Sequence, residues 1–229
     1  MELVVIIIVA VVLAVIVGIV FKINFKKIKD IGMDKDLNIL AEKYPSNVEI
    51  CKDILKKLKN EKVKVEEDKD AKTTLYLALT DKIFIADTKN SYTRIQTMAH
   101  ECLHSIQDRK ILMFNFIFSN VYILYFALIV ILKIFKVINN ELLYLNIFLI
   151  FSMVYYMVRA FLENDAMIKA KYLAKEYIEE KNISSNDEIE KLVDGFTRLN
   201  EVGIKAVNYQ LFIEILTKVI IFSSVALLF

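Results

Sequence analysis

Hydrophobic and polar positions in this chain are sorted into blocks. Residues 3–21, "LVVIIIVAVVLAVIVGIVF", carry no charge over 19 positions, enough to cross the roughly 30 Å hydrocarbon layer as a helix. A secretory signal peptide is the competing reading. Met1-Glu2 is not a basic leader, however, and no small-x-small cleavage site precedes "KINFKKIKD". The pattern therefore predicts an uncleaved anchor over 1–21. A second uncharged run covers 111–132, is broken by Lys133 and Lys136, and passes through "NNE" at 139–141 into a third run that ends at Arg159. Residues 111–158 thus read as a transmembrane helical hairpin. A fourth apolar stretch, 209–229, carries Glu214 and Lys218 one turn apart, expected as a helix-surface ion pair with Lys218 snorkelling towards the headgroups.

Two polar blocks lie between these spans. In 22–110, "NVEICKDILKKLKNEKV" places Ile50, Ile54, Leu55 and Leu58 at helical spacing. "TTLYLALTDKIFIAD", 73–87, alternates Leu75, Leu77 and Leu79 with other residues, turns at Asp81-Lys82, and predicts a small β-hairpin. Ser91 or Thr93 is placed to cap the helix that follows. In 159–208 the pattern is helical, and "SNDE" at 185–188 is a Ser-x-x-Glu capping box. The fold class expected is a mainly α integral membrane protein, with about four transmembrane helices, a zinc-binding helical domain and the hairpin.

Composition agrees with this segregation: 56% of residues are hydrophobic while 25% are charged, and mean hydropathy is +0.45. The net charge of +2 gives no electrostatic case for nucleic acid. Four Gly and one Pro leave few helix breakers. Cys51 and Cys102 form no C-x-x-C pair and suggest neither a disulfide framework nor a cysteine zinc site. Cys102 reads as a small packing residue. Lys22, Lys26, Lys27, Lys29, Arg109, Lys110, Arg159 and Lys205 flank the spans on the side of both polar blocks, against Lys133 and Lys136 on the other. The positive-inside rule therefore puts both blocks in the cytoplasm of a multi-pass cell-membrane protein.

The chemistry concentrates in "AHECLH". The 2 histidines of the chain, His100 and His104, stand four apart, with Glu101 directly after the first. Two histidines placed at random fall four apart roughly once in a hundred, and the added glutamate makes this roughly once in a thousand. On a helix, both imidazoles share one face and can hold one metal ion. Glu101, rotated by about 100°, can instead reach a water on the metal and take its proton. A catalytic zinc takes three protein ligands, so with no further His or suitably placed Cys the third should be a carboxylate. Glu163 fits by depth. His104 lies about 7–8 Å above the membrane boundary at Arg109, and Glu163 lies about 6 Å above the boundary at Arg159, on the same side. Asp165 is the alternative ligand, or a carboxylate that orients a ligating histidine.

"AHECLHSIQ", two spans and "RAFLENDA" together resemble the YugP-type membrane zinc metallopeptidases, and more distantly are similar to the HtpX-type heat-shock proteases and the CAAX prenyl proteases. The resemblance takes in Gln107, the spacing across two membrane helices, the Glu-x-Asp-Ala segment and a late "DEIEKLVDGFTRLNEV" helix. It covers most of the chain from about residue 73, and residues 22–72 fall outside it. It implies one Zn2+ per chain with His100, His104 and Glu163 as ligands and Glu101 as general base. Ala166 fits the alanine three residues after the third ligand. Those relatives place an aspartate four after that ligand, where this chain has Met167, leaving Asp165 to inherit the role. A strand of 73–87 beside the zinc helix is also family-like. It offers an edge to an extended substrate, although a purely structural hairpin reads equally well. The function expected is membrane endopeptidase activity on membrane-associated proteins or peptides at the cytoplasmic surface of the bilayer. The rival is a zinc-containing membrane sensor or regulator with little turnover.

Overall fold

The computed structural model describes residues 2–68, 71, 73–86 and 91–229. Met1 of the expected anchor and Asp87 at the end of the expected hairpin lie outside them. The chain runs α1 (Glu2–Val20), α2 (Phe25–Gly32), α3 (Lys35–Glu42), α4 (Asn47–Lys57), β1 (Lys64–Glu67), β2 (Leu75–Leu77), β3 (Lys82–Ile85), α5 (Thr93–His104), α6 (Arg109–Ile134), α7 (Glu141–Lys181) and α8 (Asn186–Leu228). The fold is mainly helical with one small sheet. The helices α1, α6, α7 and α8 are long and apolar enough to cross a membrane.

The sequence places span boundaries near 158 and 208, yet α7 and α8 run through them as helices of 41 and 43 residues. Polarity changes there while the backbone does not, because α7 contains neither Gly nor Pro to interrupt it. Ser185 and Glu188 form the expected capping box: Ser185 N–H donates to the Glu188 carboxylate at 3.1 Å, and Glu188 N–H to Ser185 Oγ at 3.4 Å. Scarcity of glycine shows at the helix ends. Lys22, Lys59 and Lys136 take positive φ of 53°, 55° and 58°. The next N–H in each case reaches back to Gly18, Leu55 or Leu132, the bond of a Schellman cap.

The chain forms two compact units. One comprises the residues up to Ile23, Phe114–Phe161 and Lys205–Phe229. Its interior is aromatic, with Tyr122 stacked on Phe148 at 5.2 Å and on Tyr155 at 4.7 Å. Here one expectation fails. Lys218 does pair with Glu214, but instead of snorkelling outward its ammonium lies 5.2 Å from the Tyr122 ring, with its side chain 14% exposed. Tyr155 OH donates to the other Glu214 oxygen at 3.3 Å. A face of phenols and a carboxylate stabilises the cation internally. Lys133, expected to mark a span end, is also buried and bonds Glu141 at 2.5 Å across the α6–α7 connection.

The other unit comprises Asn24–Met113 and Leu162–Ile204. Ile50, Ile54 and Leu55 of α4 are buried as the spacing predicts, while Leu58 packs half-buried beside them. A capping box of Ser46 and Glu49 opens α4. The sheet has strand order β1-β3-β2. The expected hairpin is present, β2 antiparallel to β3 with Tyr76 opposite Ile83. Its turn closes at Asp81, which takes φ of 53°. Lys82 already belongs to β3, where it bonds Glu66 across the sheet at 2.7 Å. Sequence patterning missed β1, which runs parallel to β3. "KVEE" has no apolar run, and only its neighbour makes it a strand. The central strand contributes Ile83 and Ile85 to the core, both fully buried.

Candidate metal centre

The helix α5 is fixed at its start by polar bonds and along its length by packing. Neither Ser91 nor Thr93 caps the helix: the N-cap is Tyr92, which makes no side-chain capping bond, and Ser91 Oγ accepts the Thr93 N–H at 3.3 Å. Arg94 is 4% exposed. Its guanidinium donates to the carbonyls of Ala41, Tyr44 and Pro45 and to Asn47 Oδ1 at 2.7–2.9 Å. One side chain thus ties α5 to the α3–α4 connection. Ile95, Met98, Ala99 and Cys102, at helical spacing, have no exposed surface. Cys102 is the packing residue the sequence suggests, and its Sγ lies 3.5 Å from that of Cys51 on α4. Burial pushes its thiol well above the usual range.

With that face committed to the core, His100 and His104 turn together towards α7. Their Nε2 atoms are 3.0 Å apart. Glu163 Oε2 of α7 lies 3.4 Å from the first and 3.6 Å from the second. All three side chains are largely buried, at 18%, 12% and 14% exposure. A tetrahedral ion with bonds of about 2.0–2.1 Å separates its ligand atoms by about 3.3–3.4 Å. The three edges bracket that value, so these residues could hold one ion.

Gln107 explains how the pair is oriented. Its Nε2 donates to the Leu162 carbonyl at 2.8 Å and to Asp165 Oδ2 at 3.1 Å. Its Oε1 therefore faces His104 Nδ1 at 2.8 Å and must accept that proton. Protonation at Nδ1 leaves the lone pair of Nε2 pointing at Glu163 and His100. Burial disfavours a charged His104, but the Glu163 carboxylate outweighs it and the net shift of the imidazole pKa is upward.

Asp165 is not one of the three converging groups among the described residues. It reaches His104 only through Gln107, and its other oxygen binds Lys169 at 2.6 Å. Burial alone would raise its pKa, but bonds from Lys169 and Gln107 hold the carboxyl below its usual range. Sequence reasoning noticed Gln107 only as part of a pattern. Its position three residues after His104, one helical turn on, was the available signal.

Glu101 is not one of the three converging groups, but it lies near them and is 8% exposed. Its Oε2 accepts the Tyr76 N–H at 2.6 Å. Tyr76 sits on β2, an edge strand whose other side pairs with β3. Burial raises the Glu101 pKa, opposed by the nearby histidines and by the Tyr76 N–H. Tyr76 is the second residue sequence reasoning missed. No family model matches the chain, and comparison with curated proteins and with solved structures finds no match.

Proposed function

We propose that this chain is an integral membrane zinc endopeptidase, with His100, His104 and Glu163 as ligands and Glu101 as general base. The triangle of donor atoms with edges of 3.0, 3.4 and 3.6 Å carries this reading. Two imidazoles and one carboxylate are a catalytic donor set, unlike the closed sets of structural zinc. The resemblance to YugP-type peptidases supports it, as do four helices long and apolar enough to cross a membrane. The excess of basic residues beside the polar blocks favours a site on the cytoplasmic side.

Zinc held by His100, His104 and Glu163 would supply Lewis acidity, polarising a peptide carbonyl and lowering the pKa of a water from about 15.7 towards 7. Glu101 takes the proton of the attacking water and returns it to the departing amine nitrogen as the C–N bond breaks. Burial, which raises its pKa, favours its holding that proton between the two transfers. Gln107 holds His104 in the tautomer that binds. The edge of β2 supplies backbone groups beside which an extended substrate can lie. Six residues separate His104 from the apolar run that begins at Ile111, so the substrates proposed are membrane proteins or peptides cut close to the bilayer.

The test is the full chain reconstituted in vesicles, with zinc quantified and cleavage of a membrane-tethered peptide followed. Glu101→Gln should keep its zinc and lose about 10²–10⁴-fold in rate. Full cleavage by that variant, or a wild-type protein purified without bound metal, would overturn the reading. Efficient cleavage of soluble unfolded chains with none of tethered ones would overturn its substrate class.

A further inference from the structure

Next to the metal trio, the same unit contains a cleft of about 310 Å³ past the C-terminal end of α5, with Tyr76 and Gln107 in its wall. Lys59, Lys62 and Arg109 line it with Asp81, Ile106 and Leu112. The wall carries three cations and one carboxylate; that carboxylate accepts the Tyr76 hydroxyl at 2.8 Å, and Arg109 lies against the same phenol. Among the described residues, neither Lys59 nor Lys62 has an ion-pair partner. Lys59 takes the positive φ of 55° of the cap that ends α4, as Lys22 and Lys136 do at their helix ends.

The composition of the wall selects the ligand. An excess of positive charge in a concave site attracts an anion. Arg109 and Leu112 belong to the first turn of α6, and the helix continues as an apolar run from Ile111. Ile106 on the rim is 47% exposed, and Leu79 in the adjoining turn is 57% exposed. Cations beside bare aliphatic side chains at the start of an apolar helix suit a headgroup with its acyl chains. A peptide carboxylate would need no such apolar rim. The first N–H groups of α6 are already taken by Asp108, at 2.7 Å from Lys110 N, so recognition falls to the side chains.

We propose that this cleft binds the phosphate of an anionic lipid headgroup, through Lys59, Lys62 and Arg109. The site rests on the membrane reading above but not on catalysis. The test is native mass spectrometry of the full chain in detergent, titrated separately with phosphatidylglycerol, phosphatidylcholine and inorganic phosphate. Phosphatidylglycerol should bind tightest, and affinity should fall roughly fivefold for each cation removed, as in K59Q, K62Q and R109Q. The control K52Q/K56Q, on α4 outside the cleft, should change nothing.

Equal loss in the control, or no loss in the cleft variants at unchanged zinc content, would overturn the site. Single lysine variants keep it testable if R109Q fails to fold. Inorganic phosphate binding as tightly as the lipid would overturn the lipid source. Displacement of the lipid by a peptide with a free C-terminal carboxylate, at similar affinity, would overturn phosphate as the ligand. Release of the chain from membranes by alkaline carbonate would instead strike the membrane reading.

Discussion

The backbone N–H of Tyr76 on β2 lies 2.6 Å from Oε2 of Glu101 on α5. A hydrogen bond to a charged carboxylate is worth roughly 1.5–3 kcal/mol, and here it aims the proposed base from an edge strand. Proline at position 76 removes that donor at an edge where it breaks no ladder bond. Y76P should lower kcat/KM about ten- to a hundredfold with zinc content unchanged. Y76F keeps the N–H and loses only the bond to Asp81, so it should cleave nearly as wild type does. Equal loss in both variants would assign the effect to the phenol.

Gln107 makes the complementary prediction for the metal. Q107A frees the tautomer of His104, and loss of such an orienting partner weakens metal binding about 10–100-fold. Competition against a zinc chelator reads this directly. D165N should cost less, since Gln107 Nε2 keeps its 2.8 Å bond to the Leu162 carbonyl. Q107E should be the worst of the three. It sets a carboxylate against both Leu162 O and Asp165, where the native amide donates.

These two residues mark the limit of what the letters reveal. His100, Glu101 and His104 were legible because helical periodicity alone puts them on neighbouring faces. Glu163 was legible because helix rise along two spans brought it to the same height. The apolar helices were legible from their uninterrupted hydrophobicity. β1 was not, because four residues reading "KVEE" form a strand only once β3 lies beside them. The contacts of Tyr76 and Arg94 were hidden for the same reason: their partners lie 25 and 47–53 residues away. No local pattern encodes such pairings.

Arg94 carries a prediction about stability. Its guanidinium satisfies the carbonyls of Ala41, Tyr44 and Pro45 from a site 4% exposed. R94M keeps much of the volume but leaves these acceptors without their donor, at about 1–3 kcal/mol for each one that water cannot reach. The variant should melt well below wild type in the same detergent. It should also bind zinc less tightly, because α5 loses its anchor. An unchanged melting temperature would mean that water replaces the guanidinium.

Lys218 and Glu214 give the last prediction, in the unit of apolar helices. Lys218 is the sheltered partner, its side chain 14% exposed against 40% for Glu214, and the pair is flanked by Tyr155 OH at 3.3 Å and by the Tyr122 ring at 5.2 Å. Removing Glu214 leaves the sheltered Lys218 ammonium without its partner, which destabilises, though by less than in a fully buried pair because Glu214 itself is 40% exposed. Replacing both with uncharged residues of similar volume removes the stranded charge and can be nearly neutral. K218M and E214Q should therefore each destabilise the detergent-solubilised protein, while K218M/E214Q recovers most of the loss. That non-additivity, read from a double-mutant cycle of thermal unfolding, separates a buried pair from an exposed one. Two small and additive effects would return Lys218 to the outward, headgroup-seeking position that the sequence suggests.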